Sequence, residues 1–237
     1  MITRTAPGHA ESWREYIGGP YRSDHEVIRT ASRSALSVAD YLEEQWGQPG
    51  RSRKIIGRLR ELGGISATLE TVCEIGPGSG GYIQSILEVA SPERYEIYEI
   101  ERNRATWLAR TYPVVMLPTD GENLAGTGDE SVQLLHAHGV FSHPGLSLRV
   151  ISCFAYFREI VRVVAPGGYA FFDIICEACM SDDEVESWMK TPLRNVNFLS
   201  KSLVLQFFER YGFSLVGEFP FPLLVFGSSR YLVFRKL

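Results

Sequence analysis

The chain has 237 residues, 45% of them hydrophobic, enough to bury a sizeable core as one α/β domain with an appendage. Lys and Arg number 24 against 28 Asp and Glu, a formal net charge of -4, so the basic field that neutralises nucleic-acid phosphates is missing and a polynucleotide substrate is disfavoured. Few cysteines (Cys73, Cys153, Cys176, Cys179), a polar opening without a signal-peptide pattern and no apolar run of roughly 20 residues lead to the expectation of a cytoplasmic protein with no integral membrane association.

In chain order, apolar residues at helical spacing from Ile28 to Trp46 predict one amphipathic helix, broken by Gly47, Pro49 and Gly50. An Arg-rich helix follows over 54–62 and stops at Gly63-Gly64. Together, residues 1–69 read as an N-terminal helical cap over a domain of residues 70–237. Short apolar runs at 71–75, 95–100, 114–117, 132–137 and 169–175 then alternate with amphipathic segments, the pattern of a parallel sheet with helices on both faces. A helix over 201–211 and strands over 213–219 and 231–235 close the chain as an antiparallel hairpin. No repeat or low-complexity tract interrupts this order.

The chemistry-bearing feature is Glu74-Ile75-Gly76-Pro77-Gly78-Ser79-Gly80, which lies between a strand and the helical pattern of 82–90. Glycines there let the backbone turn sharply and approach a ligand closely. Glu99 follows about 20 residues later, at the end of the next strand, where Rossmann-type folds place an acid on ribose hydroxyls. Asp120 follows the third strand. Gly76, Gly78 and Gly81 also fit the dinucleotide spacing G-x-G-x-x-G, so the turn alone leaves a nicotinamide-dependent oxidoreductase open.

Glu74 to Gly80, Glu99 and Asp120-Gly121-Glu122-Asn123-Leu124, with the turn Val163-Val164-Ala165-Pro166-Gly167-Gly168-Tyr169, resemble the cofactor-binding motifs of the class I S-adenosylmethionine-dependent methyltransferases. The resemblance covers about 100 residues, from Thr71 to Asp173, and favours this reading over the nicotinamide one. It implies a Rossmann-like, seven-stranded, mostly parallel sheet and S-adenosylmethionine as cofactor. Gly76, Gly78 and Gly80 would then lie against its methionine part and Glu74 near its amino group. Glu99 would hold the ribose, and Asp120 with Glu122 or Asn123 the adenine. Pro77 departs from the pattern by removing a backbone donor.

Residues after the fourth and fifth strands should face the reacting centre. His138 is placed to line the cofactor pocket, His136 alternates with apolar neighbours as a structural residue, and His143 sits in a loop. A histidine titrating near neutrality suits deprotonation of an alcohol, and His143 is the expected base, against the reading of a solvated loop histidine. A divalent metal is a competing way to position a hydroxyl, with Asp24, His25, Asp40 and Asp173 as contributors, but their spacing is not ligand-like and the metal is not favoured. Cys176 and Cys179 form a C-x-x-C pair read as ordinary cysteines.

Trp13, Tyr16, Tyr21, Trp188 and Phe198, interleaved with Arg14, Arg22 and Arg194, suggest an aromatic wall for a ring-shaped acceptor, or simply glue between cap and core. The layout resembles actinobacterial sugar O-methyltransferases such as those acting on methylmannose polysaccharides. The expected activity is therefore O-methylation of a small acceptor that is not a nucleic acid, a sugar or glycoside first. Lipid or natural-product hydroxyls and small-molecule nitrogen come next, and a non-catalytic nucleoside-binding subunit is the remaining class. A homodimer is compatible with the sequence.

Overall fold

A computed structural model describes residues 24–121, 123–142, 150–183, 185–186, 197–222 and 228–237. Where one helix is expected between Ile28 and Trp46, two occur, α1 (Asp24–Arg33) and α2 (Val38–Gln45). The apolar spacing runs through the break, but Ala35 takes a left-handed φ of 59° and ends the first helix. Ser37 then starts the second, its Oγ accepting the Asp40 N–H at 3.0 Å while its hydroxyl donates to the Asp40 carboxylate at 2.8 Å. Helix α3 (Arg51–Glu61) buries Ile55, Ile56 and Leu59 along one stripe and leaves Arg53, Arg58 and Arg60 outside.

A seven-stranded sheet of order β3-β2-β1-β4-β5-β7-β6 forms the centre. Strands β1 (Thr68–Ile75), β2 (Ser91–Tyr98), β3 (Val115–Met116), β4 (Val132–Ala137) and β5 (Val164–Ile174) run parallel. The hairpin of β6 (Phe213–Pro222) and β7 (Ser228–Lys236) adds the antiparallel edge, with β7 beside β5. Helices α4 (Gly81–Leu87), α5 (Arg102–Thr111) and α6 (Val150–Val163) make the crossovers, and α7 (Lys201–Arg210) precedes the hairpin. The expected turn at Pro166-Gly167-Gly168 is instead the opening of β5, with a register irregularity against β4 between Val132 and Leu134. Gly168 is required there, since a Cβ would sit 2.9 Å from the carbonyl oxygens of Ala165 and Val132.

Each face of the sheet carries its own core. Val72, Tyr95, Ile97, Leu134, Phe171 and Val233 pack under Ile55 and Leu59 of α3 and Ile83 and Ile86 of α4. On the other face Cys73, Leu135, Phe172 and Phe234 meet Phe157 and Ile160 of α6 and Phe208 of α7, with the Phe208 and Phe234 rings stacked at 4.4 Å. Helix α3, from the expected cap, thus shares a core with β1. No described helix is long and apolar enough to cross a membrane. From β1 the chain winds outward to β2 and β3, then returns to add β4 on the other side. This order reversal opens a crevice at the carboxyl ends of β1 and β4.

Candidate functional site

The glycine turn rises from the end of β1 into that crevice. Gly76 (φ 65°), Gly78 (φ 53°) and Gly80 (φ 75°) all adopt the left-handed conformation. Their backgrounds differ. A Cβ on Gly76 would meet Val140 Cγ2 at 2.8 Å and one on Gly80 would meet the Tyr112 ring at 2.7 Å, whereas one on Gly78 would meet only the Gly76 carbonyl oxygen at 3.9 Å. Gly76 and Gly80 are therefore packed against protein, and Gly78 faces open space.

The turn's N–H groups are largely engaged by the chain itself. Gly76 donates to the Tyr98 carbonyl at 2.8 Å, Gly80 to the Pro77 carbonyl at 2.9 Å, and Gly78 to Glu99 Oε2 at 3.3 Å, while Pro77 has no N–H. A pyrophosphate cradle needs such donors free, and here a carboxylate lies beside them. Within the turn itself few donors remain for a pyrophosphate, which counts against the dinucleotide reading that the glycine spacing left open.

Glu99 follows β2 directly and is 7% exposed. Its Oε1 accepts the Glu101 N–H at 3.0 Å and lies 3.6 Å from the Arg104 guanidinium. Burial pushes its carboxyl up, and the Arg104 charge and the Glu101 and Gly78 N–H groups oppose that shift. Since each carboxylate oxygen carries two acceptor positions, one remains on each side for a pair of vicinal hydroxyls.

Asp120 lies exposed beyond β3 and accepts from the Asn123 side-chain amide at 3.3 Å, while Asn123 Oδ1 accepts the Ala125 N–H at 3.0 Å. Ile100 flanks this loop, with its Cγ2 3.3 Å from where a Cβ on Gly121 would stand, and it is 59% exposed. An apolar side chain exposed to solvent between two acidic loops can flank a flat apolar ring. The sequence reading missed it, although its place directly after Glu99 was a usable signal. Glu122 lies outside the described residues.

Beneath the turn, Glu74 is 1% exposed. Its Oε2 accepts from the Tyr95 hydroxyl at 2.8 Å, and its Oε1 is buried without a hydrogen-bond partner. Burial raises this carboxyl to about 8, against the Tyr95 bond and with help from the Glu99 charge. The chain of contacts continues: the Tyr95 oxygen lies 2.9 Å from His136 Nε2, and His136 Nδ1 lies 3.0 Å from His138 Nε2. His136 is fully buried and pushed down to about 3 by that burial, as its alternation with apolar neighbours predicts. His138 is half-buried beyond β4 and stacks on Tyr82 of α4 with ring centroids 3.4 Å apart.

A second polar group stands at the end of β5. Asp173 is fully buried and accepts the Gly139 N–H at 2.7 Å and the Ser142 hydroxyl at 2.5 Å, which ties the loop after β4 to the sheet. Arg51 of α3 has Tyr82, Tyr231 and Asp173 as electrostatic neighbours, and its guanidinium covers the Phe221 ring at 5.2 Å. Tyr82, Tyr95 and Tyr231 escaped the sequence reading because each sits at an ordinary core-facing position.

His143 lies outside the described residues, as do Trp13, Tyr16, Tyr21, Trp188, Arg14, Arg22 and Arg194 and the side chains of Asp24 and His25. Among the described residues, no group of three or more His, Cys, Asp or Glu side chains is placed to hold a metal. Asp40 is occupied by Arg53 at 2.6 Å, and Asp173 by the two donors above. Cys176 and Cys179 are free thiols with sulfurs 3.5 Å apart.

No protein-family model matches the chain, and no curated protein does. Solved structures do. The magnesium protoporphyrin IX methyltransferase ChlM of Synechocystis PCC 6803, with S-adenosylhomocysteine bound in that protein, is similar with a TM-score of 0.59 and 12% identity, over 95% of this chain and 93% of that one. The N-methyltransferase NodS of Bradyrhizobium japonicum WM9 is similar with a TM-score of 0.55 and 15% identity, over 78% of this chain and 95% of that one. The architecture is that of the Rossmann-like class I methyltransferases.

Proposed function

We propose that this chain is a methyltransferase that carries the methyl group of S-adenosylmethionine to a hydroxyl of a small acceptor, with sugars and glycosides as the acceptor class. The single observation that carries the reading is the set of unfilled groups around the crevice. Open space lies above Gly78, a buried oxygen of Glu74 has no partner, and the two oxygens of Glu99 each keep an acceptor position. An aminoacyl nucleoside with vicinal hydroxyls and an ammonium matches those groups in kind. In this reading Gly76 and Gly80 shape the turn and Gly78 lies against the ligand. Glu74 Oε1 takes the ammonium, Glu99 the ribose, and Asp120, Asn123 and Ile100 border the adenine, with Glu122 and His138 completing the cofactor pocket.

When bound, the cofactor supplies an electrophilic methyl carbon on a sulfonium. The chain's own residues hold the acceptor oxygen against it, exclude water and accept a proton. Net negative charge and the missing basic field support a small acceptor over a nucleic acid, and the few cysteines support a reducing, cytoplasmic setting. Incubation with labelled S-adenosylmethionine and a panel of glycosides, lipids and amines tests the acceptor class. Labelled glycoside is the expected product, label on an amine or lipid alone would replace the sugar assignment, and stabilisation by NADH in preference to S-adenosylhomocysteine would remove the methyltransferase reading.

A further inference from the structure

The three contacts between Glu74 and His138 form an unbroken wire, and counting its hydrogens fixes the state of its far end. With Glu74 ionised, the Tyr95 hydroxyl donates to Glu74 Oε2 at 2.8 Å, so its single hydrogen is used. At 2.9 Å from the same oxygen, His136 Nε2 must then be the donor. His136 is neutral, because burial holds it near 3, so its Nδ1 carries a lone pair and accepts from His138 Nε2 at 3.0 Å. His138 is left with a bare Nδ1. That atom is buried and has no partner in the structure. Protonation of Glu74 reverses every donor in the wire and places a hydrogen on His138 Nδ1.

We propose that His138 Nδ1 takes the proton from the acceptor hydroxyl and that the wire carries it inward through His136 and Tyr95 to Glu74. The inference rests on the methyl-transfer reading above. As the acceptor's O–H bond breaks and its oxygen bonds to the transferred methyl carbon, the proton joins His138 Nδ1. The Nε2 hydrogen of His138 passes to His136 Nδ1, the Nε2 hydrogen of His136 to the Tyr95 oxygen, and the Tyr95 hydrogen to Glu74 Oε2. Each ring keeps one hydrogen throughout, and the net change is a carboxylate converted to a carboxylic acid.

The surroundings fit this route. Burial, His136 and the Arg51 charge all oppose a positive charge on His138, so a proton cannot rest there. Glu74 is a suitable terminus, since its burial favours the protonated carboxyl and so opposes the pull of a cofactor ammonium toward the carboxylate. The other groups against the wire do not compete. Tyr82 on α4 and Tyr231 on β7 are raised by burial and stay neutral, while Phe171 closes the side of β5. Arg51 on α3 is a cation, Asp173 is held by Gly139 and Ser142, and Glu99 acts on Glu74 only by raising it further. His138 also stands at the carboxyl end of β4, beside the crevice where the order of strands reverses.

The test needs no acceptor in its first arm. In the full chain with ¹⁵N-labelled histidine, long-range proton–nitrogen spectra report which nitrogen of His138 bears the hydrogen. The expected result is a switch from Nδ1–H to Nε2–H as pH rises through the Glu74 titration, absent in Glu74→Gln and in Tyr95→Phe. A tautomer that ignores pH, or a switch that persists in Glu74→Gln, overturns the relay whatever the enzyme does. In the second arm, His138→Ala assayed at saturating S-adenosylmethionine, so that any weaker hold on the cofactor is offset, should lose turnover by roughly 10² to 10⁴, the usual range for general base catalysis. If His143→Ala shows that loss and His138→Ala does not, the base is His143 and the proposal fails. Loss of S-adenosylhomocysteine binding by the parent chain would sink the methyl-transfer reading, and the acceptor role of His138 with it.

Discussion

Glu99 shows how one side chain can serve both the fold and a ligand. It joins the end of β2 to the glycine turn through the Gly78 N–H at 3.3 Å and to the start of α5 through the Glu101 N–H at 3.0 Å, so it is fixed before any ligand arrives. A pre-positioned acceptor costs a ligand little ordering, and its loss leaves two hydroxyls without partners. Glu99→Ala should therefore weaken S-adenosylhomocysteine binding at least tenfold, about 1.4 kcal/mol, as read by calorimetry. Unchanged affinity would mean that the ribose lies elsewhere. Glu99→Gln separates the two roles. Its amide keeps one oxygen for the turn but presents a donor in place of the other, so thermal stability should be largely retained while affinity still falls. The position of Glu99 was legible in the sequence because an acid ending the second strand has a fixed place in this topology. The wire that starts at Glu74 was not, because Tyr95 lies on β2 and His136 and His138 lie at the end of β4, and only the register of β1 with both strands brings them together.

At the level of elements, the strand-turn-helix unit from β1 to α4 combines two kinds of glycine that look identical in sequence. Gly76 supports packing, because Val140 closes over it, and Gly78 supports access, because nothing does. Gly76→Ala should consequently lower the melting temperature by several degrees and disturb the loop after β4, whereas Gly78→Val should keep most of the fold and abolish cofactor binding. Differential scanning fluorimetry with and without S-adenosylhomocysteine reads both effects. Normal ligand binding by Gly78→Val would show that the turn is not the cradle. The same unit explains why the sheet could be read in advance and the first helices could not. Short apolar runs mark β1, β2 and β4 to within a few residues, since β4 and the carboxyl-terminal halves of β1 and β2 are buried on both faces. The α1–α2 break depends on a left-handed Ala35 and a Ser37 cap, neither of which disturbs the apolar spacing that suggested one helix. Asp120 and Asn123 were legible as a loop motif, but the exposure of Ile100 beside them is a property of the folded crevice.

Across the whole molecule, the buried Glu74 couples folding to pH and, in the proposed reading, to the ligand. In the unfolded chain its carboxyl titrates near the ordinary 4.5, and in the folded chain near 8. Between those values the folded state holds one proton more at Glu74, so the contribution of Glu74 to stability falls as pH rises through this window and levels above it, while His136 and His138, which burial holds below their ordinary 6.5, add stability as pH rises toward that value. Asp40, Glu88 and Glu159 also act in the sense opposite to Glu74. Each is held below its ordinary value, chiefly by Arg53 or Arg162 working against burial, so their contribution is present at neutral pH and lost on the acid side as pH falls through their folded values. Glu74→Gln should make the change of stability with pH more positive than in the parent chain between pH 4.5 and 8 and leave the contributions of Asp40, Glu88 and Glu159 unchanged, as read from urea unfolding across pH. The ligand adds a further link. An ammonium facing the unpartnered Glu74 Oε1 favours the carboxylate, so binding must expel the proton that Glu74 holds at lower pH. Affinity for S-adenosylhomocysteine should then strengthen by up to tenfold per pH unit as pH approaches about 8, and flatten above it. Calorimetry in two buffers of different ionisation enthalpy counts the released proton directly. Release by the parent chain but not by Glu74→Gln places the ammonium on Glu74. Release unaffected by Glu74→Gln moves it to another group, and a pH-independent affinity in the parent chain shows that Glu74 does not meet the ligand at all.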